Sequence, residues 1–296
     1  MTSTTPDFRC AAASRDDEEP MLGSAPTDTA WLFVEYAGSW GRQAVAESRL
    51  PESVRDHLAA AEVRVQLIRR HGGVTGPGVR VFAARLGAEN AVWTTVLDDV
   101  EELLDLDLAG LAAGTPPGLT PYDDALWLVC TNGRRDVCCA ALGRPIAGAL
   151  AAQWPEETWE TTHLGGHRFA GTLLALPSGV ALGRLDAESA TSACRELGRG
   201  RLPDDLTVVR GRAGWAPIAQ VAEMTVRGGL GVRELADVTL AAVEDDRVTL
   251  VAPDGEHRVQ VASSPGVPRR QSCGDLATKP GQVYDVRAWV RPSPSR

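Results

Sequence analysis

The chain has 296 residues, with 30 lysines and arginines against 39 aspartates and glutamates (net charge −9) and 44% hydrophobic residues. A chain of this size buries roughly 75% of its unfolded surface without disulfide staples, and the composition is that of an ordered globular protein, not a disordered or fibrous one. The acidic balance disfavours a general nucleic-acid or anionic-membrane binder, and the longest apolar run, Ala125–Cys130, is far short of the ~20 residues a membrane helix needs.

The N-terminal stretch Met1-Thr-Ser-Thr-Thr-Pro-Asp7 has neither a basic region nor an apolar core after it, so it is not read as a secretory signal and a cytoplasmic protein is expected. Lys279 is the only lysine; the other basic residues are arginine, the habit of a GC-rich bacterial genome. Six cysteines in such a chain read as reduced thiols, metal ligands or redox centres.

Residues 1–26 are polar and partly acidic and read as a loose tail, although Cys10 and Met21 could pack down. Trp31–Glu35 reads as a buried strand, and residues 44–60 as helix interrupted at Pro51, which can open a second helix near Glu52. Val63–Ile68, Val79–Ala84 and Ala91–Leu97 read as strands. Asp99–Leu108 carries leucines at helical spacing, and Gly110–Pro121 is a breaker-rich link.

The pattern then restarts. Ala125–Val129 reads as a strand, Ala140–Gln153 as a helix, Thr158–Thr162, Gly171–Leu176 and Val180–Arg184 as strands, and Glu188–Leu197 as a helix. Trp215–Arg227 reads as a helix, followed by an antiparallel meander over Asp237–Val243, Arg247–Ala252 and His257–Ala262. Arg291-Pro-Ser-Pro-Ser-Arg296 reads as a tail.

A shift of 95 residues lays Trp31-Leu-Phe-Val34 on Leu126-Trp-Leu-Val129 and Val63–Leu67 on Thr158–Thr162. The expected fold is therefore α/β, with two tandem pseudo-repeats of a β-α-β-β-α unit and a small C-terminal α+β segment. The expected divisions are 1–26, 27–112, 122–204 and 205–290. The same shift sets Glu35, Ala44, Ile68 and Gly72 opposite Cys130, Cys139, His163 and His167. The first half would then lack soft ligands and serve as a structural or docking half.

Chemistry concentrates between Cys130 and His167. Cys130 ends a buried strand, Cys139, next to Cys138, begins a helix, and His163-Leu-Gly-Gly-His167 follows another strand. Loops at strand C-termini are where α/β sheets build sites, and thiolates with neutral imidazoles suit zinc or iron–sulfur centres. The two glycines oppose a helix there, and no general-base glutamate follows His163 as a zincin would require. Cys194, on an apolar helix face, reads as a small core hydrophobe. Spacing gives no role to Cys10 or Cys273. His57, His71 and His257 lie among charged residues and read as solvated or capping.

Cys130-x8-Cys139 with Arg135-Asp136 between, Trp159-Glu-Thr-Thr-His163-Leu-Gly-Gly-His167-Arg-Phe-Ala170 and Leu176-Pro-Ser-Gly-Val180 together resemble the sucrase/ferredoxin-like family. Trp31–Glu35 and Leu67-Ile-Arg-Arg70 extend the resemblance over about residues 10 to 200. Its members are thioredoxin-like [2Fe-2S] ferredoxins, some bis-histidinyl. The resemblance implies a thioredoxin-like fold and a [2Fe-2S] cluster held by Cys130, Cys139, His163 and His167. It leaves open which ligands share an iron, and Cys138 competes with Cys139, which the family spacing favours. Histidine ligation makes the cluster less negative and raises its potential, as in Rieske centres at roughly −150 to +300 mV. The free imidazole nitrogen makes reduction pH-dependent.

Of the flanking arginines, Arg134 is expected to face solvent, Arg135 to pair structurally with Asp136, and Arg168 either to reach sulfur or to face solvent. Arg195, Arg199, Arg201, Arg210 and Arg212 read as a solvated linker, or as a docking patch for an acidic redox partner.

The expected function is a one-electron carrier exchanging with a partner protein, a reductase or an acceptor, rather than a catalyst. The alternatives are a structural Cys2His2 zinc protein and a thiol–disulfide oxidoreductase on a thioredoxin fold. The last is disfavoured because Cys138 and Cys139 are adjacent rather than spaced Cys-x-x-Cys. No carboxylate pair supports a glycosidase.

Overall fold

The computed structural model describes residues 8–73 and 75–292. The parts of the two expected tails at 1–7 and 293–296 lie outside the described residues. Residues 8–26 are packed down: a short helix, α1 (Cys10–Asp16), buries Cys10, Ala11 and Ser14, and Met21 is buried beyond it.

Strand β1 (Ala30–Glu35) has Trp31–Val34 fully buried. The expected helix over 44–60 is shortened to α2 (Glu52–Ala60). Pro51 sets φ −50° at its N-cap, and a residue before proline is pushed out of helical conformation, so the chain before it stays in turns. Strands β2 (Arg64–Arg69), β3 (Val79–Arg85) and β4 (Ala91–Leu97) follow as expected. Leu103 and Leu104 of Asp99–Leu108 lie on a 3-10 turn, Val100–Asp105, opened by an Asp99/Glu102 capping box. The α-helix, α3 (Leu108–Ala113), starts after Asp107, whose carboxylate accepts from Gly110 N–H.

After a two-residue strand, β5 (Thr120–Pro121), come β6 (Leu126–Cys130), α4 (Val137–Ala151), β7 (Thr158–Thr161), β8 (Leu173–Leu176), β9 (Val180–Leu182) and α5 (Ala187–Leu197). Strand β10 (Val209–Arg212) and helix α6 (Pro217–Leu230) lead into β11 (Thr239–Glu244), β12 (Arg247–Ala252), β13 (Gly255–Arg270) and β14 (Thr278–Val290).

The first ten strands form one curled mixed sheet in the order β10-β9-β8-β6-β7-β2-β1-β3-β4-β5. In both halves a parallel pair is crossed by a helix and flanked by antiparallel strands. β1 pairs parallel with β2 and antiparallel with β3, while β6 pairs parallel with β7 and antiparallel with β8. Parallel neighbours require such a crossover; α2 and α4 supply it. The halves meet where β2 and β7 run antiparallel through Ile68↔Thr161 and Arg69↔Glu160.

Alternation along the strands separates the faces. Trp31, Phe33, Phe82, Leu126, Leu128 and Trp159 fill one shared core, which Cys130 and, from the first turn of α4, Cys139 join. The opposite face packs under α2 and α3 in the first half and under α4 and α5 in the second, where Cys194 is buried as expected.

Of residues 205–290, β10 joins the large sheet beside β9. The remainder is a four-stranded antiparallel sheet, β11-β12-β13-β14, covered by α6. Its fourth strand escapes the sequence pattern because prolines interrupt the β13–β14 pair, with a register shift between Pro265 and Pro268. The turn between them carries Cys273 back to the start of α4. His257, expected at the surface, is fully buried, bonded to Asp254 at 2.7 Å and accepting from Trp289 Nε1 at 3.0 Å.

Candidate metal centre

Asp136 caps α4 by accepting from Cys138 N–H at 2.9 Å, so Cys138 and Cys139 both sit in the first helical turn. Successive helical residues point about 100° apart, and the two thiols face different neighbours. The ligand atoms of Cys130, Cys139 and His163 all lie within 4.8 Å of one another. His167 Nδ1 lies 3.2 Å from His163 Nε2, with ring centroids 4.9 Å apart. Cys130, Cys139 and His163 therefore form one group, His167 adjoins it through the His163 ring, and Cys138 belongs to a different group.

The hydrogen bond from Cys139, together with the one from His163, holds Cys130 well below the usual thiol range against its burial. The same bond, with burial, pushes Cys139 up. Burial, then the neighbouring His163, lowers His167, so its imidazole is neutral and able to ligate at pH 7. His163 Nδ1 and His167 Nε2 are buried without a hydrogen-bond partner. Buried polar atoms are normally satisfied. Two buried thiols gathered with one imidazole, and a second imidazole next to it, fit a group that takes soft and borderline donors, and Cys130, Cys139 and His163 could hold a metal ion.

The histidine loop is held from both sides of the fold. Gly165 and Gly166 take φ +86° and +69°, which glycine adopts freely. Arg64 from β2 donates to His163 O at 3.2 Å. Arg210 from β10 donates to Gly165 O at 3.1 Å, to Ser24 Oγ at 3.1 Å and to Ser24 O. Arg210 is 2% exposed, and burial lowers it to about 10 while the Cys130 and Cys139 charges oppose that shift. It is a cation buried beside the thiols.

Glu160 on β7 is a second buried anchor. It accepts from Thr131 Oγ1 at 2.8 Å, from Arg69 Nη2 at 2.9 Å, and pairs with His71 Nδ1 at 2.8 Å. Burial alone would raise its pKa, but these bonds outweigh it and lower the carboxyl. Thr131 follows Cys130 directly, so this network fixes the end of β6.

Arg134 is exposed, as expected. The Asp136 carboxylate serves Cys138 and Cys273 rather than Arg135. Arg168 is buried, bonding to Glu19 at 2.7 Å and to Arg270 O. The arginine run read as a solvated linker splits: Arg195 and Arg199 are exposed, whereas Arg212 pairs with buried Glu223 at 3.0 Å and Arg210 enters the site. Sequence reasoning missed Arg64 and read Arg210 only as part of a basic run. The one signal available was an arginine excess in an acidic chain.

A cleft of about 400 Å³ opens onto His163, lined also by Arg42, Asn132, Arg135 and Thr162. No helix among the described residues is long and apolar enough to cross a membrane.

The family model for sucrase/ferredoxin-like proteins matches residues 21–211, more than half of the chain, and the chain belongs to that family. No curated protein and no solved structure matches it.

Proposed function

From this membership and the donor set around Cys130, we propose that the protein is a one-electron carrier holding a [2Fe-2S] cluster through Cys130, Cys139, His163 and His167. The observation that carries the reading is the gathering of two buried thiols with the His163 imidazole, next to which His167 lies, each imidazole with one buried nitrogen left without a hydrogen-bond partner. When bound, the cluster supplies a one-electron couple whose potential histidine ligation raises.

The protein's own groups set its surroundings. Cys130 and Cys139 form the apolar, water-excluding wall with Leu128 and Trp159. Arg210 puts fixed positive charge behind the thiolates and favours an added electron. Arg64 and Arg210 fix the histidine loop through its carbonyls, and the facing nitrogens His167 Nδ1 and His163 Nε2, 3.2 Å apart, hold one proton between them. His163 borders the cleft flanked by Arg42 and Arg135, which suits an acidic partner protein, reductase or acceptor. The protein is cytoplasmic in this reading.

The matching strand orders β7-β6-β8-β9 and β2-β1-β3-β4 support two thioredoxin-like units, 27–112 and 122–204, followed by the 205–290 segment. Trp31 and Phe33 face the shared core as Leu126 and Leu128 do, in agreement with a 95-residue offset in this strand. The first unit has Glu35 where the second has Cys130, which leaves it a structural or docking role.

The test is purification without oxygen, followed by the visible spectrum with iron and acid-labile sulfide assays. A brown protein with two iron and two sulfide per chain is expected. A colourless protein whose Cys130, Cys139, His163 and His167 hold zinc would replace electron transfer with a structural site.

A further inference from the structure

A second cluster lies beside the first and uses none of its residues. One ligand atom each from Cys10, Asp136, Cys138 and Cys273 falls within 4.8 Å of the others. Cys138 Sγ is 3.4 Å and Cys10 Sγ 3.5 Å from Cys273 Sγ. Asp136 Oδ1 lies 3.1 Å from Cys273 Sγ and 3.5 Å from Cys10 Sγ. We propose that these four side chains form a closed structural site for one zinc ion.

A tetrahedral zinc with Zn–S of about 2.3 Å and Zn–O of about 2.1 Å sets S···S edges of about 3.8 Å and S···O edges of about 3.6 Å. The observed separations need to open by only a few tenths of an ångström. Three thiolates and a carboxylate complete four-coordination, which leaves no open position and therefore no catalytic role. Disulfide chemistry fits less well. An odd number of thiols leaves one unpaired, and Cys273 is nearly equidistant from two, singling out neither.

The surroundings are those of metal thiolates. Cys10 N–H donates to Cys273 Sγ at 3.3 Å, and Cys273 N–H donates to Asp136 Oδ2 at 2.8 Å. Such second-layer hydrogen bonds orient ligands and offset their charge. Three distant stretches of chain converge here: the N-terminal helix, the start of α4 and the β13–β14 turn. The apolar cluster around them is small, with Cys10, Ala11, Cys138 and Ala170 as its buried members. A zinc cross-link gives α1 and the turn an anchor that this packing does not. Cys10 and Cys273 both lie outside the family-matched residues 21–211.

The inference is independent of the iron–sulfur reading, and element-specific measurements keep the two apart. The experiment is iron and zinc analysis of the intact chain, purified from zinc-replete cells without added metal, with X-ray absorption at the zinc edge. One zinc per chain with three sulfurs at about 2.3 Å and one light scatterer is expected. Cys273→Ser and, separately, Cys10→Ser lose the zinc and keep the iron. A zinc shell of two sulfurs and two imidazoles places the metal at Cys130, Cys139, His163 and His167 and overturns both readings. A zinc-free protein that keeps its iron, with Cys10, Cys138 and Cys273 all open to alkylation or cross-linked, overturns this inference alone. A protein with the three-sulfur zinc and no iron sustains it and overturns the other.

Discussion

Gly166 is the residue through which the histidine loop's conformation can be tested most directly. At φ +69° an alanine is strained, and its Cβ would lie 2.5 Å from Arg210 Nη2 and 2.8 Å from Cζ. A flexible arginine on the surface would swing away. Arg210 is buried and tied by three hydrogen bonds to Ser24 and Gly165, so yielding breaks bonds of a buried charge. The matched control is Gly200, at φ +79° with nothing within 4 Å of its added Cβ. The left-handed strain, about 1–2 kcal/mol, is common to both substitutions and cancels. Losing one or two charged hydrogen bonds at about 1.5–3 kcal/mol each remains. Gly166→Ala should therefore cost about 2–5 kcal/mol more than Gly200→Ala in urea unfolding. It should also shed the metal group faster, because His163 and His167 bracket the displaced loop. Equal destabilisation by the two substitutions would refute the claim that Arg210 locks this loop.

His167→Cys should keep a coloured cluster and lower its midpoint potential by roughly 100–350 mV, about half the gap between Rieske and all-cysteine centres; an unchanged potential in a spectroelectrochemical titration removes His167 from the ligand set. Cys138→Ser should retain the visible spectrum while Cys139→Ser bleaches it, because only Cys139 lies against Cys130 and His163; the reverse result exchanges their roles. Glu160 has a folded pKa below its unfolded one, near 4.5, so its stabilisation is complete above that pH and fades as the pH falls through the depressed value. Glu160→Gln should lower stability by about 1–3 kcal/mol at pH 7 and flatten the acid limb between pH 7 and 3; a parallel, unflattened limb in denaturant titrations would deny Glu160 that role.

The sequence pattern was legible where local physics decides. Leu126–Cys130 is an apolar run that burial on both sheet faces explains; the start of α4 was placed three residues late because the Asp136 cap went unread. The four soft ligands stood out because such residues are scarce and fell in two loops after strands. What stayed hidden depends on distant chain. Cys10 and Cys273 are 263 residues apart, and no spacing argument joins them. Arg210 reads as one more arginine in a basic run; its burial is decided by carbonyls from Ser24 and Gly165. His257 looked solvated among charges, yet it lies under Trp289 from β14, the strand that the proline-rich pattern concealed. Alternation and capping set elements, whereas which polar groups end up inside is set by who meets whom.

Arg210 and the two cysteines are best understood as one electrostatic unit. Burying a guanidinium costs several kcal/mol unless charge and hydrogen bonds compensate it. Ser24 and Gly165 supply neutral oxygens, and no carboxylate among the described residues lies within ion-pair distance of Arg210. The opposing charge comes from Cys130 and Cys139, whose field works against the burial shift. By reciprocity the cation favours thiolate at Cys130, which hydrogen bonds from Cys139 and His163 already hold low, while Cys139 stays raised. Replacing both cysteines by serine therefore removes more than ligands. It leaves a buried cation without an anion, so Cys130→Ser/Cys139→Ser should unfold more easily than the wild-type chain stripped of metal. Adding Arg210→Met should restore part of that loss, because the uncompensated charge goes with it. A double mutant as stable as the stripped wild type, or no recovery in the triple, would show that Arg210 is satisfied by its carbonyls alone and owes nothing to the thiolates.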